Sequence, residues 1–555
     1  MPLTNGGAPA SININNMMEL IAMKKLPLGI QSFRKIIDGG YVYVDKTQHV
    51  YNLINGESYY FLSRPRRFGK SLLLDTISEA FGGDRELFAG LWIYDSDYSF
   101  ARHPVISLDM SNISNKTPDT LEESIASALA RRIQDEGLGI TDKIPSDMFK
   151  HMIEGLYKKY GQRVVVLIDE YDKPILDHLR DIETAEANRQ VLRGFYGILK
   201  SMDAYLRFTL ITGVSKFTKA SVFSELNNLF DITLAEGYAG ICGIEAARLG
   251  EYFGEHIESL SAHKNFRHCQ SVHDEILSWY DGYSWDGESK LLNPYSLLSF
   301  FAQMKFESFW YASGTPNFFI DVIKEKPESF VGLRNLEIKE RVLDTFDIRK
   351  MEIEPLLFQT GYLTVKEVRL QRGAPLYLLG MPNYEVREAF NMQIMSALTQ
   401  SGDVRAGQAQ IEISRALGDG DLKKMLGMLR GLFASIPYEL HIDREAYYHS
   451  IFYAVMSVLG FDMDVEVSVS KGRVDAVLEL DEIVYVMEFK YKTCPPGASQ
   501  KDKQAIFTSA LDEAMEQMND RGYAAKYAGS GKAALQVAFA FLGRDDIEMR
   551  VCALQ

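Results

Sequence analysis

The chain has 555 residues, 46% hydrophobic and 24% charged, an ordinary globular composition with room for about three or four domains. Its net charge of −15 excludes tight nucleic-acid binding through bulk charge, so any DNA or RNA contact needs a local basic surface or metal ions. Cys242, Cys269, Cys494 and Cys552 form no CxxC pair, which argues against a zinc site or a disulfide framework, and no run approaches the ~18 apolar residues of a membrane helix. A cytoplasmic protein without membrane contact follows by default.

In chain order, residues 1–25 read as a disordered tail, because they are small and polar with no basic start. Tyr41-Val42-Tyr43-Val44 suggests a short strand before a helix. Residues 59–62 form a buried-type strand that runs through a loop into a helix starting near Lys70. Further strands are expected at 104–110, 164–168 and 206–211, with helical patterns at 119–135 and 186–202 between them. Strands alternating with helices imply a parallel α/β sheet over 26–240. Residues 241–395 turn mostly helical. Within them a helix end at 356–358, strands at 363–369 and 375–380, and a helix after Pro382 give a winged-helix-like outline. A helical linker is expected at 396–444. A last unit, 445–555, reads as helix 445–459, strands near 464–469, 473–480 and 483–490, helix 503–521 and strand 535–541.

Two segments carry chemistry in the first unit. Arg64-Pro65-Arg66-Arg67-Phe68-Gly69-Lys70-Ser71 lies between a strand and a helix, the context of a phosphate loop, although Arg64 stands where GxxxxGK[ST] has its first glycine. Arg66, Arg67, Phe68, Gly69, Lys70 and Ser71 are expected to bind nucleotide. Backbone N–H groups at the helix start cradle phosphate, Lys70 reaches the β- and γ-phosphates, and Ser71 holds Mg²⁺. The apolar run 164–168 ends in Asp169 and Glu170, at the strand end where open α/β sheets bind ligands. Asp169 is expected on the Mg²⁺ and Glu170 as the base for the attacking water. The plainer alternative is that both cap the next helix. Thr212, ending the strand at 206–211, is either a γ-phosphate sensor or an ordinary loop residue. Arg66, Arg67, Arg189, Arg193 and Arg207 are all open as an arginine finger.

The last unit carries Asp475 on one strand and Glu488 and Lys490 on the next, with a turn at Leu480-Asp481-Glu482. Side-chain alternation puts Glu488 and Lys490 on one face, and antiparallel pairing brings Asp475 to Glu488. Two carboxylates suit Mg²⁺ or Mn²⁺, with Lys490 orienting a water toward a phosphodiester, and Glu445 completing the metal shell from the preceding helix. Charges inside so apolar a strand need a partner or a metal. This unit holds more acidic than basic residues, which counsels against strong duplex binding by it alone.

Together these segments resemble a known architecture. The RPRRFGKS loop, Val44-Asp45-Lys46-Thr47, Ile168-Asp169-Glu170-Tyr171-Asp172, Thr212-Gly213-Val214-Ser215-Lys216-Phe217, Phe223-Ser224-Glu225-Leu226-Asn227-Asn228-Leu229, Tyr280-Asp281-Gly282-Tyr283 and Gly361-Tyr362-Leu363-Thr364 are similar to the AAA-ATPase-like family. Gly472-Arg473-Val474-Asp475 and Glu488-Phe489-Lys490 are similar to the PD-(D/E)XK nuclease superfamily. The resemblance makes Arg64 the family's own form of the loop. It implies a P-loop NTPase core like that of AAA and STAND proteins, a helical and winged-helix-like middle, and a C-terminal α/β restriction-endonuclease-like domain with Asp475, Glu488 and Lys490 as its signature. It also implies Gln517 as a polar residue near that site. The expected activity is an ATPase coupled to a metal-dependent nuclease, using ATP with Mg²⁺ or Mn²⁺. Its expected partners are nucleic acid, DNA more than RNA, and a second copy of the chain. The alternative is a regulatory STAND-like scaffold whose nuclease fold binds without cutting.

Overall fold

A computed structural model of the chain describes residues 23–216, 222–223, 226, 228–310, 336–343, 353–399, 411–413, 415–434, 452, 456, 463–469, 472–480, 482–495, 497–520, 532–543 and 546–553. The chain divides into two compact units, Met1–Trp310 with Lys339–Leu376, and Tyr311–Ile338 with Tyr377–Gln555.

The first unit is built on five parallel strands: β1 (Tyr59–Ser63), β2 (Val105–Asp109), β3 (Val164–Asp169), β4 (Leu206–Gly213) and β5 (Phe230–Asp231), in the order β2-β3-β4-β1-β5. All five residues of β1 and all six of β3 are buried, as near-continuous apolar runs covered on both faces require. The helix Thr47–Asn55 (α1) precedes β1 and Lys70–Gly82 (α2) follows it. Helix α3 (Pro118–Asp135) starts on the cap of Thr117 with proline in its first turn. It buries Leu121, Ile125, Leu129 and Ile133, one stripe at i, i+4 spacing. Helices α4 (Pro145–Tyr160) and α5 (Ile182–Ser201) bury equivalent stripes. The expected strand at 41–44 is reduced to a single bridge between Tyr41 and Lys25.

The sheet order matters most for function. Strand β4 inserts between β1, which feeds the glycine loop, and β3, which ends in Asp169. The carboxyl ends of all three strands therefore lie side by side. Beyond the sheet, helices α6 (Leu249–Ser261), α7 (Val272–Tyr280) and α8 (Pro294–Gln303) share an aromatic-rich core with Val42 and Ile244. Helix α9 (Ile353–Thr360), strands β6 (Thr364–Gln371) and β7 (Ala374–Gly380) and helix α10 (Tyr384–Thr399) follow in the order the sequence predicts.

The second unit contains helix α11 (Leu422–Ala434), strands β8 (Met463–Val469), β9 (Gly472–Glu479), β10 (Ile483–Lys492), β11 (Ala533–Leu542) and β12 (Asp546–Ala553), and helix α12 (Gln500–Asp520) between β10 and β11. The strands pair in sequence order, with β10 and β11 parallel and the other neighbours antiparallel. Strand β12 is absent from the sequence reading. One face of the sheet, through Val477, Val484, Val486, Ala538, Ala540 and Leu542, packs on Phe507, Ala510, Leu511, Ala514 and Met518 of α12. On β10 the alternate residue Phe489 stacks with Phe539, ring centroids 5.5 Å apart. Strand β10 is thus apolar on both faces, and two charges are set into one of them.

Candidate nucleotide site and a second carboxylate site

Strand β1 leads into a loop that ends at Gly69, whose φ of 96° only glycine adopts without strain, and α2 starts at Lys70. Lys70 is 5% exposed, and its ammonium donates to the carbonyls of Arg64 (2.9 Å) and Pro65 (3.1 Å). The loop thus wraps its own lysine. Ser71, one residue into the helix, donates its Oγ to Asp169 Oδ2 at 2.5 Å. Thr212, at the end of β4, donates to the other oxygen, Asp169 Oδ1, at 2.6 Å. One carboxylate therefore joins the loop, β3 and β4, as the inserted position of β4 allows.

Glu170 follows with φ 49°, a left-handed conformation that costs a non-glycine residue about 1–3 kcal/mol. The strand breaks abruptly there, and the backbone N–H of Glu170 is tied to Asp169 Oδ1 (3.0 Å). Asp172, two residues on, is fully buried and accepts from the N–H groups of Val214 (3.1 Å) and Ser215 (2.5 Å). Burial pushes its carboxyl up to about 6, and those N–H bonds counter the shift. Gly213 makes this junction possible. A Cβ there would sit 2.5 Å from the Tyr171 ring and 2.8 Å from Asp172 Oδ1.

Arg64 is not a surface feature of the loop. It is completely buried, donates to the carbonyls of Ser63 (2.9 Å), Thr233 (2.9 Å) and Tyr238 (3.1 Å), and lies 4.1 Å from the Trp285 ring centre. Burial lowers its guanidinium to about 10. Phe68 packs edge-on against Tyr283 and Trp285, and its carbonyl accepts from Gly243 (3.1 Å). Gly361 abuts Pro65, since a Cβ there would sit 2.8 Å from that ring. Arg67, exposed with φ 68°, lies over Tyr295 at 4.7 Å. The loop is thus clamped by the segments around 238–243, 283–285 and 361.

In the second unit, Ala476 of β9 pairs with Met487 of β10. One step further along the same register sets Asp475 opposite Glu488. Asp475 Oδ2 accepts from the Phe489 N–H at 2.9 Å. Glu488 is wholly buried, 3.6 Å from Lys490 Nζ. Gln517 of α12 bridges them: its Nε2 donates to Glu488 and its Oε1 accepts from Lys490 at 2.8 Å. Glu488 and Lys490 pair in register with Ala538 and Ala540 of β11, whose small side chains leave room for the long ones.

A match to the predicted AAA-ATPase family covers residues 27–223, and a match to the PD-(D/E)XK nuclease superfamily covers 443–550. Over 520 residues the chain is 36% identical to an uncharacterized protein of the vnfD 5′ region of Azotobacter chroococcum mcd 1, covering 92% of this chain and 95% of that one. The chain belongs to the predicted AAA-ATPase family, joined to a PD-(D/E)XK nuclease superfamily domain. Among solved structures, the Aeropyrum pernix ORC2 protein (ADPNP-ADP complexes) aligns with 65% of this chain and 98% of that one, at 11% identity and a TM-score of 0.26.

Within the AAA-ATPase-like part, the structure brings Ser71 and Thr212 together on the Asp169 carboxylate and sets Glu170 beside them, while Lys70 is held by the loop carbonyls of Arg64 and Pro65. Arg207 lies at the opposite end of β4 from Thr212, bonded to the Ile54 carbonyl (2.8 Å). Arg189 pairs with Glu186 on its own helix. Within the nuclease-superfamily part, Asp475, Glu488, Lys490 and Gln517 converge. Glu445 lies outside the described residues. Among the described residues no three His, Cys, Asp or Glu side chains are grouped to hold a metal. None of the described helices is long and apolar enough to cross a membrane. The sequence reading missed the clamping role of Arg64 and the place of Asp172. The signal for both was present, as an arginine in place of a loop glycine and a third acid shortly after β3.

Proposed function

We propose that the chain is an ATPase whose nucleotide state controls a metal-dependent phosphodiesterase site acting on nucleic acid, DNA before RNA. The observation that carries the first half is the Asp169 carboxylate held by Ser71 of the loop and Thr212 of β4. In this reading backbone N–H groups of 66–71 cradle the phosphates. Lys70 would exchange its two carbonyls for phosphate oxygens, and Ser71 and Asp169 would hold Mg²⁺. Glu170 would polarise the attacking water, and Thr212 holds the Asp169 carboxylate in place. The test is ATP turnover by the wild type, Lys70→Ala and Glu170→Gln. Turnover unchanged in both variants would sink the assignment.

The second half rests on the buried Glu488 beside Asp475. An oxygen-only pair of carboxylates fits Mg²⁺ or Mn²⁺ and would hold it, with Glu445 as a further ligand. The cation would supply charge stabilisation at a phosphodiester. Lys490, held by Gln517, orients a water, and Gln517 keeps Glu488 in place. Manganese-stimulated cleavage that survives Glu488→Ala would refute this. A second reading keeps the ATPase but makes the nuclease fold a binding module of a STAND-like scaffold. What favours it is the excess of acidic over basic residues in 445–555, which counsels against strong duplex binding by this unit. Detectable Mn²⁺-dependent cleavage excludes it.

A further inference from the structure

The Val44-Asp45-Lys46-Thr47 segment has no place in the phosphate chemistry above, yet Lys46 is one of the least accessible lysines of the first unit. It stands just before α1, 9% exposed, and among the described residues its buried Nζ has no hydrogen-bond partner. The nearest opposite charge, Glu245 Oε1, is 3.6 Å away, beyond hydrogen-bond reach. The Nδ1 of His49, on the first turn of α1, is likewise buried without a partner. Gly240 faces this group: a Cβ there would lie 2.6 Å from Glu245 Oε1 and 3.6 Å from His49 Nε2. The strap holding Gly240 is fastened to the phosphate loop on both sides, by Arg64 donating to the Tyr238 carbonyl and by Gly243 donating to the Phe68 carbonyl, each 3.1 Å. Lys46, His49 and Glu245 therefore lie one strap away from the loop.

A buried ammonium without a hydrogen bond is costly unless a ligand supplies an acceptor. Burial lowers the Lys46 ammonium below the usual lysine range, with Glu245 opposing the shift, and His49 is held down to about 4 by burial and by Lys46. The Glu245 carboxylate repels an anion, so a phosphate does not belong here. A neutral edge with a donor beside an acceptor satisfies both groups, and a nucleobase carries such an edge.

We infer that Lys46 and Glu245, backed by His49 and Gly240, form the base-recognition end of the nucleotide site, gripping the donor-acceptor edge of a nucleobase. The inference rests on the nucleotide-binding reading proposed above. The experiment is calorimetric titration of the full chain with ATP, GTP, CTP and inorganic tripolyphosphate, each with Mg²⁺. The wild type is compared with Lys46→Met, Glu245→Gln and Lys70→Ala. Lys46→Met and Glu245→Gln are each expected to weaken the nucleotide that the wild type binds most tightly by about tenfold, with tripolyphosphate affinity unchanged. Glu245 is 32% exposed, so its amide variant tests the site even where Lys46→Met fails to fold. Equal losses for that nucleotide and tripolyphosphate, or no loss for either, would overturn the base pocket. Retention of ATP and tripolyphosphate by Lys70→Ala would overturn the phosphate-loop reading instead, which separates the two failures.

Discussion

The guanidinium of Arg64 lies 4.1 Å from the centre of the Trp285 ring, and the carbonyl of Arg64 accepts from the Lys70 ammonium at 2.9 Å. One residue therefore anchors the loop outward, to the middle region, and inward, to its phosphate-seeking lysine. Arg64→Gly would restore the common GxxxxGKS spelling. It is nevertheless expected to lower stability by about 2–4 kcal/mol, through lost charged hydrogen bonds and a cavity, and to weaken ATP binding. Trp285→Leu should show a smaller loss of the same kind. Thermal melting and ATP titration check both, and a wild-type melting temperature with wild-type affinity in Arg64→Gly would contradict the clamp.

Thr212 and Glu170 serve hydrolysis more than binding in this account. Thr212→Val removes the 2.6 Å bond to Asp169 while keeping the side-chain shape. Turnover is expected to fall about tenfold or more, with ATP affinity changed far less. Glu170→Gln should bind ATP and hold it. Single-turnover hydrolysis beside equilibrium binding separates the two effects.

Asp172 carries a pH signature. Burial raises its carboxyl from 3.8 to about 6, so the folded chain binds that proton more tightly than the unfolded chain. The stabilisation from protonation is fully present below about pH 4 and is lost as pH rises through about 6. The wild type should therefore lose on the order of 2–3 kcal/mol relative to Asp172→Asn across that window, and nothing more above it. Denaturant unfolding of both proteins at a series of pH values gives the difference directly, and a flat difference would refute the raised carboxyl.

Lys490 and Gln517 support a carboxylate with no exposed surface. Lys490→Met leaves Glu488 without its nearest cation and is expected to destabilise the chain by about 3 kcal/mol. Added Mn²⁺ should restore part of the lost melting temperature, because a bound cation replaces the missing charge. Glu488→Gln in the same background should cancel both effects. Mn²⁺ that leaves the melting temperature of Lys490→Met untouched would contradict a cation at this carboxylate.

Much of this was legible because the chemistry sits at element boundaries. The apolar run of β3 ending in Asp169, and GKS at the start of α2, show their chemistry within a few consecutive residues. Glu488 and Lys490 share a face through strand alternation alone. What stayed hidden depends on contacts between distant segments. No local pattern places β4 between β1 and β3, and that insertion is what lets Thr212 reach Asp169. Arg64 reads as a broken consensus until Thr233, Tyr238 and Trp285 surround it. Strand β12 escaped because its sequence, with Asp546, Glu548 and Arg550 interleaved, lacks the apolar continuity of its neighbours. The short helix-like run Lys46-Thr47-Gln48-His49 gave no hint that Lys46 Nζ and His49 Nδ1 are buried without hydrogen-bond partners among the described residues.

The central claim is that the nucleotide site governs the carboxylate site. It is tested most directly by metal-dependent cleavage of single- and double-stranded DNA, with and without ATP, by the wild type, Lys70→Ala and Glu488→Ala. The account expects Mn²⁺- or Mg²⁺-dependent cleavage that changes with ATP in the wild type, loses its ATP response in Lys70→Ala, and disappears in Glu488→Ala. Cleavage indifferent to ATP and to Lys70→Ala, or surviving Glu488→Ala, would contradict it.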